Sequence, residues 1–296
     1  HYDEPFSDSS AIPTWYLCEK TRERVTVSLS GDGGDELFGG YERYKALILS
    51  QRFARYIPSR AIIGSGILDR FRDRGNRRSF MRRVRRFVEA IDQKAPLRYL
   101  NWLQIFGEAQ RSELYQAEFL ENLPAIDPFT FLETAWNKVG NRGLVNQASL
   151  ADLQTYLPCD LMTKVDIASM AHSLEARQPF LDYRLMELAI GIPGDWKLKK
   201  GRGKVLLKEA FGDLLPQEIW TRPKMGFGVP IAKWFRNELK ELLCKTLLGP
   251  ECRLNAFLRP ESIRRLADSH LSGKSNEGYR LWNLFILELW IRRWKG

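Results

Sequence analysis

The sequence predicts a mostly helical protein with a small α/β unit near its N-terminal end. Three observations carry that expectation. A short β-branched run, "RVTVSLS", leads directly into a glycine-rich acidic loop and a renewed helical pattern. Beyond residue 50, apolar residues recur at helical spacing and no further convincing strand appears. The 296 residues are 44% hydrophobic and 12% aromatic, enough for one large core or two smaller ones and unlike a disordered chain.

Along the chain, residues 1–13, "HYDEPFSDSSAIP", carry turn chemistry, and Ser9 or Ser10 is placed to cap a helix from Ala11 or Pro13 to Arg24. After the strand and its loop, "DELFGGYERYKALILSQRFARY" puts Leu37, Tyr41, Tyr44, Leu47 and Ile48 on one helical face. Phe80, Val84, Phe87, Val88 and Ile91 form a stripe that predicts an amphipathic helix over 80–91. Residues 147–157 and 161–174 read as helices separated by Pro158. Leu181, Leu185, Leu188 and Ala189 face one way in a helix that stops at Gly191 and Pro193. Four more helices are expected over 203–211, 230–248, 260–271 and 278–294. The apolar run Leu281 to Ile291 is shorter than the ~20 residues a membrane span needs. Asn283 and Glu288 also interrupt it, so it predicts a buried helix and no membrane partner.

Lys plus Arg number 46 against 36 acidic residues, a formal charge of +10 that suits anionic partners. Cys18, Cys159, Cys244 and Cys252 show no C-x-x-C spacing and are expected as free thiols in a reducing cytoplasm. The chain begins at His1 without Met or a basic-apolar leader, and is expected to be a fragment of a longer protein.

Five segments could carry chemistry. In Ser30-Gly31-Asp32-Gly33-Gly34-Asp35-Glu36, Gly31, Gly33 and Gly34 can adopt positive φ and turn N–H groups towards a phosphate. The following helix would aim its N-terminus at the same point. Asp32 and Asp35 would repel a bare phosphate, and a hard divalent cation resolves the conflict, because Mg²⁺ binds one or two carboxylates together with phosphate oxygens. A tight turn with Asp as helix cap fits this pattern equally well. The second segment, Leu157 to Asp182, scatters Asp160, Lys164, Asp166, Glu175, Arg177 and Asp182 through an apolar frame. Buried ion pairs tying helix ends together explain it better than direct catalysis, and His172 reads as a packed side chain.

In the third segment, "KKGRGKVLLKEAF", Lys204 opens a helix against the macrodipole. An anionic ligand would offset that cost, while a solvated loop is the plainer alternative. "RPKMGFGVP", Arg222 to Pro230, is either a lid or a linker. Finally, arginine fills nine of the eighteen positions from Arg70 to Phe87. Without an interleaved aromatic platform, and with its apolar residues at helical spacing, that run reads as a solvated helix face rather than a grip on nucleic acid.

The blocks "SLSGDGGDELFGGY", "KVDIASMAHSLEARQPFLD", "GKVLLKEAF" and "RPKMGFGVP", with "DEPFSDSSAIP" ahead of them, resemble in order the synthetase domain of glutamine-dependent asparagine synthetases. The resemblance covers almost the whole chain, least securely 50–140 and 240–275. It implies the C-terminal part of an adenine-nucleotide-α-hydrolase-like (ATP-pyrophosphatase) fold, with a reduced parallel sheet. Residues 1–296 would be one truncated synthetase domain, 1–50 from its α/β core and 51–296 mainly helical. ATP would adenylate a carboxylate, that of aspartate, releasing pyrophosphate, and glutamine-derived ammonia would then form the amide.

By the same resemblance Ser30, Gly31, Gly33 and Gly34 match positions at the ATP phosphates, and Asp35 matches a Mg²⁺ ligand. Asp32 matches an acidic position tied to acyl-AMP formation, and Lys204 matches a lysine near the α-phosphate. The family's S-G-G-x-D-S loop and its glutaminase domain are absent from this sequence. The chain is therefore expected to hold the pyrophosphate end of a site whose other half lies elsewhere. A homodimer is left open. So is a family member that amidates or cyclises a different acid, such as a glycan precursor or a peptide. A basic module binding nucleic acid or an acidic partner is the alternative from another class.

Overall fold

The computed structural model describes residues 1–54, 87, 90–124, 126–222 and 226–294. The arginine run Arg70–Arg86, most of the helix expected over 80–91, and residues 223–225 of the Arg222–Pro230 loop lie outside the described residues.

Helix α1 (Ala11–Arg22) starts where the turn chemistry placed it, but no side chain caps it. Ser10 instead donates its hydroxyl to Asp8 at 2.6 Å, and Lys164 joins both, 2.8 Å from Asp8 Oδ2 and 2.7 Å from Ser10 Oγ. One of the expected buried ion pairs thus ties the N-terminal segment to a later helix. Strand β1 (Val27–Leu29) is shorter than its β-branched run. Helices α2 (Gly34–Phe38) and α3 (Glu42–Ala54) replace the single helix expected there. The break falls at Gly39, whose φ of 68° closes α2 in the left-handed region that glycine enters without steric cost.

Helices α4 (Ala95–Leu103), α5 (Phe129–Lys138) and α6 (Leu144–Gln154) pack with α3 around Tyr44, Leu47, Tyr99, Trp136 and Ala148. Pro158 does not separate two helices. It sits in the first turn of a π-helical stretch, Leu157–Met162, that runs into α7 (Thr163–Met170). The wider turn accommodates the proline, and Thr163 donates its hydroxyl to the Pro158 carbonyl at 2.9 Å. His172 packs edge-on against Trp15 of α1, as a packed side chain would.

A second strand, β2 (Glu175–Arg177), follows where no strand is expected. It pairs parallel to β1 in the register Val27↔Glu175, Ser28↔Ala176, Leu29↔Arg177. Its three residues carry no β signal of their own, so the pairing rather than propensity makes the strand. Parallel pairing requires a long crossover, here the helices between β1 and β2. Among the described residues this sheet has two strands, and Leu29 is 74% exposed.

After a 3₁₀ turn at Pro179–Leu181 comes α8 (Tyr183–Gly191), capped by Asp182, which accepts the Arg184 N–H at 3.0 Å. Its inner face runs through Leu185, Met186, Ala189 and Ile190, which leaves Leu188 outside against expectation. The short helix α9 (Gly194–Lys197) leads into a hairpin of β3 (Leu198–Lys199) and β4 (Arg202–Gly203), also unexpected, and then α10 (Val205–Phe211).

The helix expected over 230–248 is split into α11 (Ile231–Trp234) and α12 (Lys240–Leu247). Asn237 donates its side-chain amide to the Lys233 carbonyl at 3.0 Å, a local bond that competes with helix propagation. Together with α13 (Pro260–Leu271) and α14 (Gly278–Trp294), these build a second core on Ile231, Phe235, Leu243, Leu247, Ile263, Leu281 and Phe285. The apolar run in α14 is a buried helix as expected. Glu288 within it is fully buried yet satisfied, accepting N–H groups of Arg253 and Leu254 and the guanidinium of Arg292. Among the described residues no helix is long and apolar enough to cross a membrane.

Lys197 at the end of α9 is fully buried, and its ammonium has no hydrogen-bond partner among the described residues. Burial pushes its pKa down from the usual 10.5 to about 8. Below pH 8 both folded and unfolded chains hold the proton and the full cost is present. Between pH 8 and 10.5 only the unfolded chain holds it, so stability rises with pH through that window. Lys197→Met is therefore expected to raise unfolding free energy in urea at pH 7, by on the order of 3 kcal/mol. The gain should shrink steadily as the titration approaches pH 10.5.

Candidate functional site

The pairing of β1 with β2 continues one step past the strand. The Ser30 N–H donates to the Arg177 carbonyl at 2.8 Å, so the loop leaves the sheet from a fixed point. Ser30 then folds over the loop: its hydroxyl donates a short hydrogen bond to Asp32 Oδ2 and accepts the Asp32 N–H at 3.2 Å. Of the three loop glycines expected at positive φ, only Gly33 takes it, at 86°. A Cβ there would also lie 2.3 Å from Leu181 Cδ2. The Gly34 N–H donates to the Gly31 carbonyl at 3.2 Å, so it is occupied within the turn. Helix α2 is a single turn of five residues, and its dipole adds less than the expected long helix would.

Asp35 and Lys204, 169 positions apart in the sequence, meet here, with Lys204 Nζ 2.9 Å from Asp35 Oδ1. The contact depends on glycine at two positions, 203 and 40. The Gly203 backbone passes so close to Gly39 that a Cβ would stand 2.3 Å from the Gly39 carbonyl oxygen. A Cβ on Gly40 would stand 1.8 Å from Asp35 Oδ1 and 2.6 Å from Lys204 Cε. The Lys204 N–H donates to the Phe38 carbonyl at 2.9 Å, stitching the hairpin end to the end of α2. Lys204 itself has φ 56°, a left-handed conformation that costs a non-glycine residue roughly 1–3 kcal/mol. The expected cation at a helix start is thus present, and its charge is turned to Asp35 rather than left against the α10 dipole.

A polar network lies behind the loop. Glu36 is 1% exposed, and burial pushes its pKa up. Tyr41 donates its hydroxyl to Glu36 Oε1 at 2.5 Å, and Ser149 of α6 donates to the Glu36 carbonyl at 2.8 Å. Arg43 stacks on the Tyr41 ring, Cζ 3.6 Å from its centroid, and donates to Asp152 of α6 at 2.8 Å. Tyr44 and Tyr99 donate to the same Asp152 oxygen at 2.5 and 2.6 Å, which offsets the full burial of that carboxylate. Sequence reasoning placed Tyr41 on a helix face and Glu36 in the acidic loop but gave neither a role in this network, and it did not single out Arg43, Ser149 or Asp152. The one available signal was the glycine pair Gly39–Gly40, residues able to end a helix, which in the structure turn the chain so that Tyr41 folds back on Glu36.

Farther along, Asp160 in the π-helical stretch is pushed up to about 6, mainly by burial and then by Asp8. Asp8 itself lies below its usual value: burial opposes this, but the hydrogen bonds from Lys164 and Ser10 outweigh it. These two carboxylates and Lys164 form a structural tie, as the ion-pair expectation had it.

The donor chemistry fits a share in a Mg²⁺ site and no more. Asp35 offers a hard carboxylate oxygen that already accepts a cationic group. Among the described residues no group of three or more His, Cys, Asp or Glu is arranged to hold a metal.

The chain matches the asparagine synthase family over residues 1–292. It is 29% identical to glutamine-hydrolysing asparagine synthetase 1 of Bacillus subtilis over 299 residues, covering 98% of this chain and 44% of that protein. A putative glutamine-hydrolysing asparagine synthetase of Mycobacterium bovis is 31% identical over 295 residues, again 98% of this chain and 43% of its own. A glutamine-hydrolysing asparagine synthetase of Mus musculus is 42% identical over 146 residues, 44% of this chain and 25% of its own. A parallel β-strand that delivers a glycine-rich acidic loop to a distant lysine, among packed helices, is the architecture of an adenine-nucleotide-α-hydrolase-like domain. The chain belongs to the asparagine synthase family, and it spans less than half the length of these first two relatives.

The glycine geometry separates fold from function at two positions. Gly203→Ala drives a methyl group into a backbone oxygen and is expected to cost about 2 kcal/mol or more. Gly31→Ala meets nothing within 4 Å and should leave the unfolding free energy within about 0.5 kcal/mol of the parent. Paired urea titrations of the two variants check this.

Proposed function

We propose that this chain supplies the pyrophosphate end of an ATP-dependent amide-forming site. The reaction joins ATP and the side-chain carboxylate of aspartate into an acyl-AMP with release of pyrophosphate. Ammonia released from glutamine then displaces AMP to give asparagine. The observation that carries this reading is the Asp35–Lys204 contact at the end of the glycine loop, in a member of the asparagine synthase family. Residues 1–296 act as one part of a synthetase domain, 1–50 from its nucleotide-binding core and 51–296 as its helical body. The nucleotide-contacting remainder and the glutaminase lie in other parts of the full-length protein. Its setting is cytoplasmic, in keeping with four free cysteines.

Each residue of the loop has a role in this proposal. Gly31 keeps the loop's outer face bare, so that a phosphate can approach the backbone. Gly33 turns the chain, and Gly34 keeps its side clear beside Phe180 and Lys204. Ser30 contacts phosphate oxygens and holds Asp32 in place, and Asp32 faces the forming acyl-AMP. Without a ligand, Lys204 neutralises Asp35. When the triphosphate arrives, the ammonium moves to the α-phosphate, where charge builds in the transition state. That exchange frees the Asp35 carboxylate to hold Mg²⁺, which when bound supplies positive charge to the leaving pyrophosphate.

ATP–pyrophosphate exchange by the full-length protein tests the reading. Aspartate should support exchange. Asp35→Asn should lower it at least a hundredfold, and Gly31→Ala should raise the pyrophosphate concentration needed for half-maximal exchange. If neither aspartate nor any other carboxylic acid supports exchange, the ligase assignment is wrong. Unchanged exchange in Asp35→Asn would remove that residue from the site.

A further inference from the structure

Helix α2 has five residues, too few hydrogen bonds to hold a shape by itself. The direction of the Asp35 carboxylate is therefore set by what grips the turn around it. Two of the grips are backbone contacts: the Gly40 N–H donates to the Asp35 carbonyl at 2.8 Å, and the Lys204 N–H donates to Phe38. A third comes from side chains. Glu36, next to Asp35, buries its carboxylate and accepts the Tyr41 hydroxyl at 2.5 Å. That bond spans Gly39 and Gly40, the stretch against which Asp35 Oδ1 rests.

A buried carboxylate is an expensive way to fill space, and leucine would cost less. Tyr41 is itself braced: its ring lies under Arg43, which is bound to Asp152 on α6, and Ser149 of the same helix holds the Glu36 carbonyl. The line of contacts runs from the buried helix to the residue beside Asp35.

We infer that Glu36 and Tyr41 are positioning residues for Asp35. Their hydrogen bond fixes the Gly39–Gly40 turn and so sets where the Asp35 carboxylate stands relative to Lys204 and to a cation arriving with pyrophosphate. The inference rests on the proposed pyrophosphate site and adds a separate claim: cation affinity at Asp35 depends on a bond made by neither a metal ligand nor a phosphate contact. Outer hydrogen-bond partners of metal ligands are typically worth about 10–100-fold in metal affinity.

The test is calorimetric binding of pyrophosphate to the full-length protein, with and without Mg²⁺, well below each variant's unfolding temperature. Tyr41→Phe and Glu36→Leu should weaken Mg²⁺-pyrophosphate binding about tenfold or more. Binding of metal-free pyrophosphate should change less than about threefold, because Lys204 and the loop backbone remain. Glu36→Gln keeps an oxygen acceptor for Tyr41 and should restore Mg²⁺-pyrophosphate affinity to within about threefold of the parent. Should Glu36→Leu fail to fold, Tyr41→Phe carries the test with Glu36→Gln as its control. If Tyr41→Phe binds Mg²⁺-pyrophosphate like the parent while Asp35→Asn does not, the positioning claim is overturned and the site stands. If Asp35→Asn also binds like the parent, both fall.

Discussion

The close crossing of two backbones, Gly39 over Gly203, underlies the whole candidate site. It allows the β3–β4 hairpin to lie against the end of α2, and only there can Lys204 reach Asp35. The left-handed backbone of Lys204 is a strain that the rest of the fold must hold. The bonds from Lys204 to Phe38 and from Lys208 back to Lys204 do so. A site built this way is pre-organised. The helical body sets the distance between an acidic turn and a basic hairpin, and neither element has enough internal structure to set it alone.

The same logic explains how charge is handled. A basic chain concentrates carboxylates at one loop, and the structure gives each a different neighbour. Asp32 has the Ser30 hydroxyl, Asp35 the Lys204 ammonium, and Glu36 the Tyr41 phenol. Asp152, fully buried, has three donors on one oxygen. The first two are part-exposed, whereas Glu36 and Asp152 are buried. Lys197 is the exception to this pairing, a buried ammonium without a hydrogen-bond partner among the described residues, and it sits at the base of the hairpin that carries Lys204.

What was legible in the sequence was what is local. The glycine loop, Lys204 at a helix start, and the buried C-terminal helix all announce themselves through neighbours a few residues away. Strand β2 did not, because Glu175, Ala176 and Arg177 are too short a run and lack β-branched or aromatic residues, and become a strand only by pairing with β1. The break at Gly39 was masked because Leu37, Tyr41 and Tyr44 keep helical spacing across it. Arg43 and Asp152 meet across 109 residues, and no spacing rule connects them. The same holds for the Asp35–Lys204 contact: each partner could be suspected singly, and their meeting could not.

The three-residue ladder between β1 and β2 has a consequence for the loop it carries. Side chains alternate faces along a strand, and each residue advances it by about 3.3 Å. Ser30 is the next rung after Leu29↔Arg177. A slip of a single residue would lower the loop by that length and turn Ser30 to the opposite face, with every helix left in place. The strand pair therefore acts as a gauge: it sets the height at which the glycine loop is presented, and three pairings with one flanking backbone bond at each end hold the setting among the described residues.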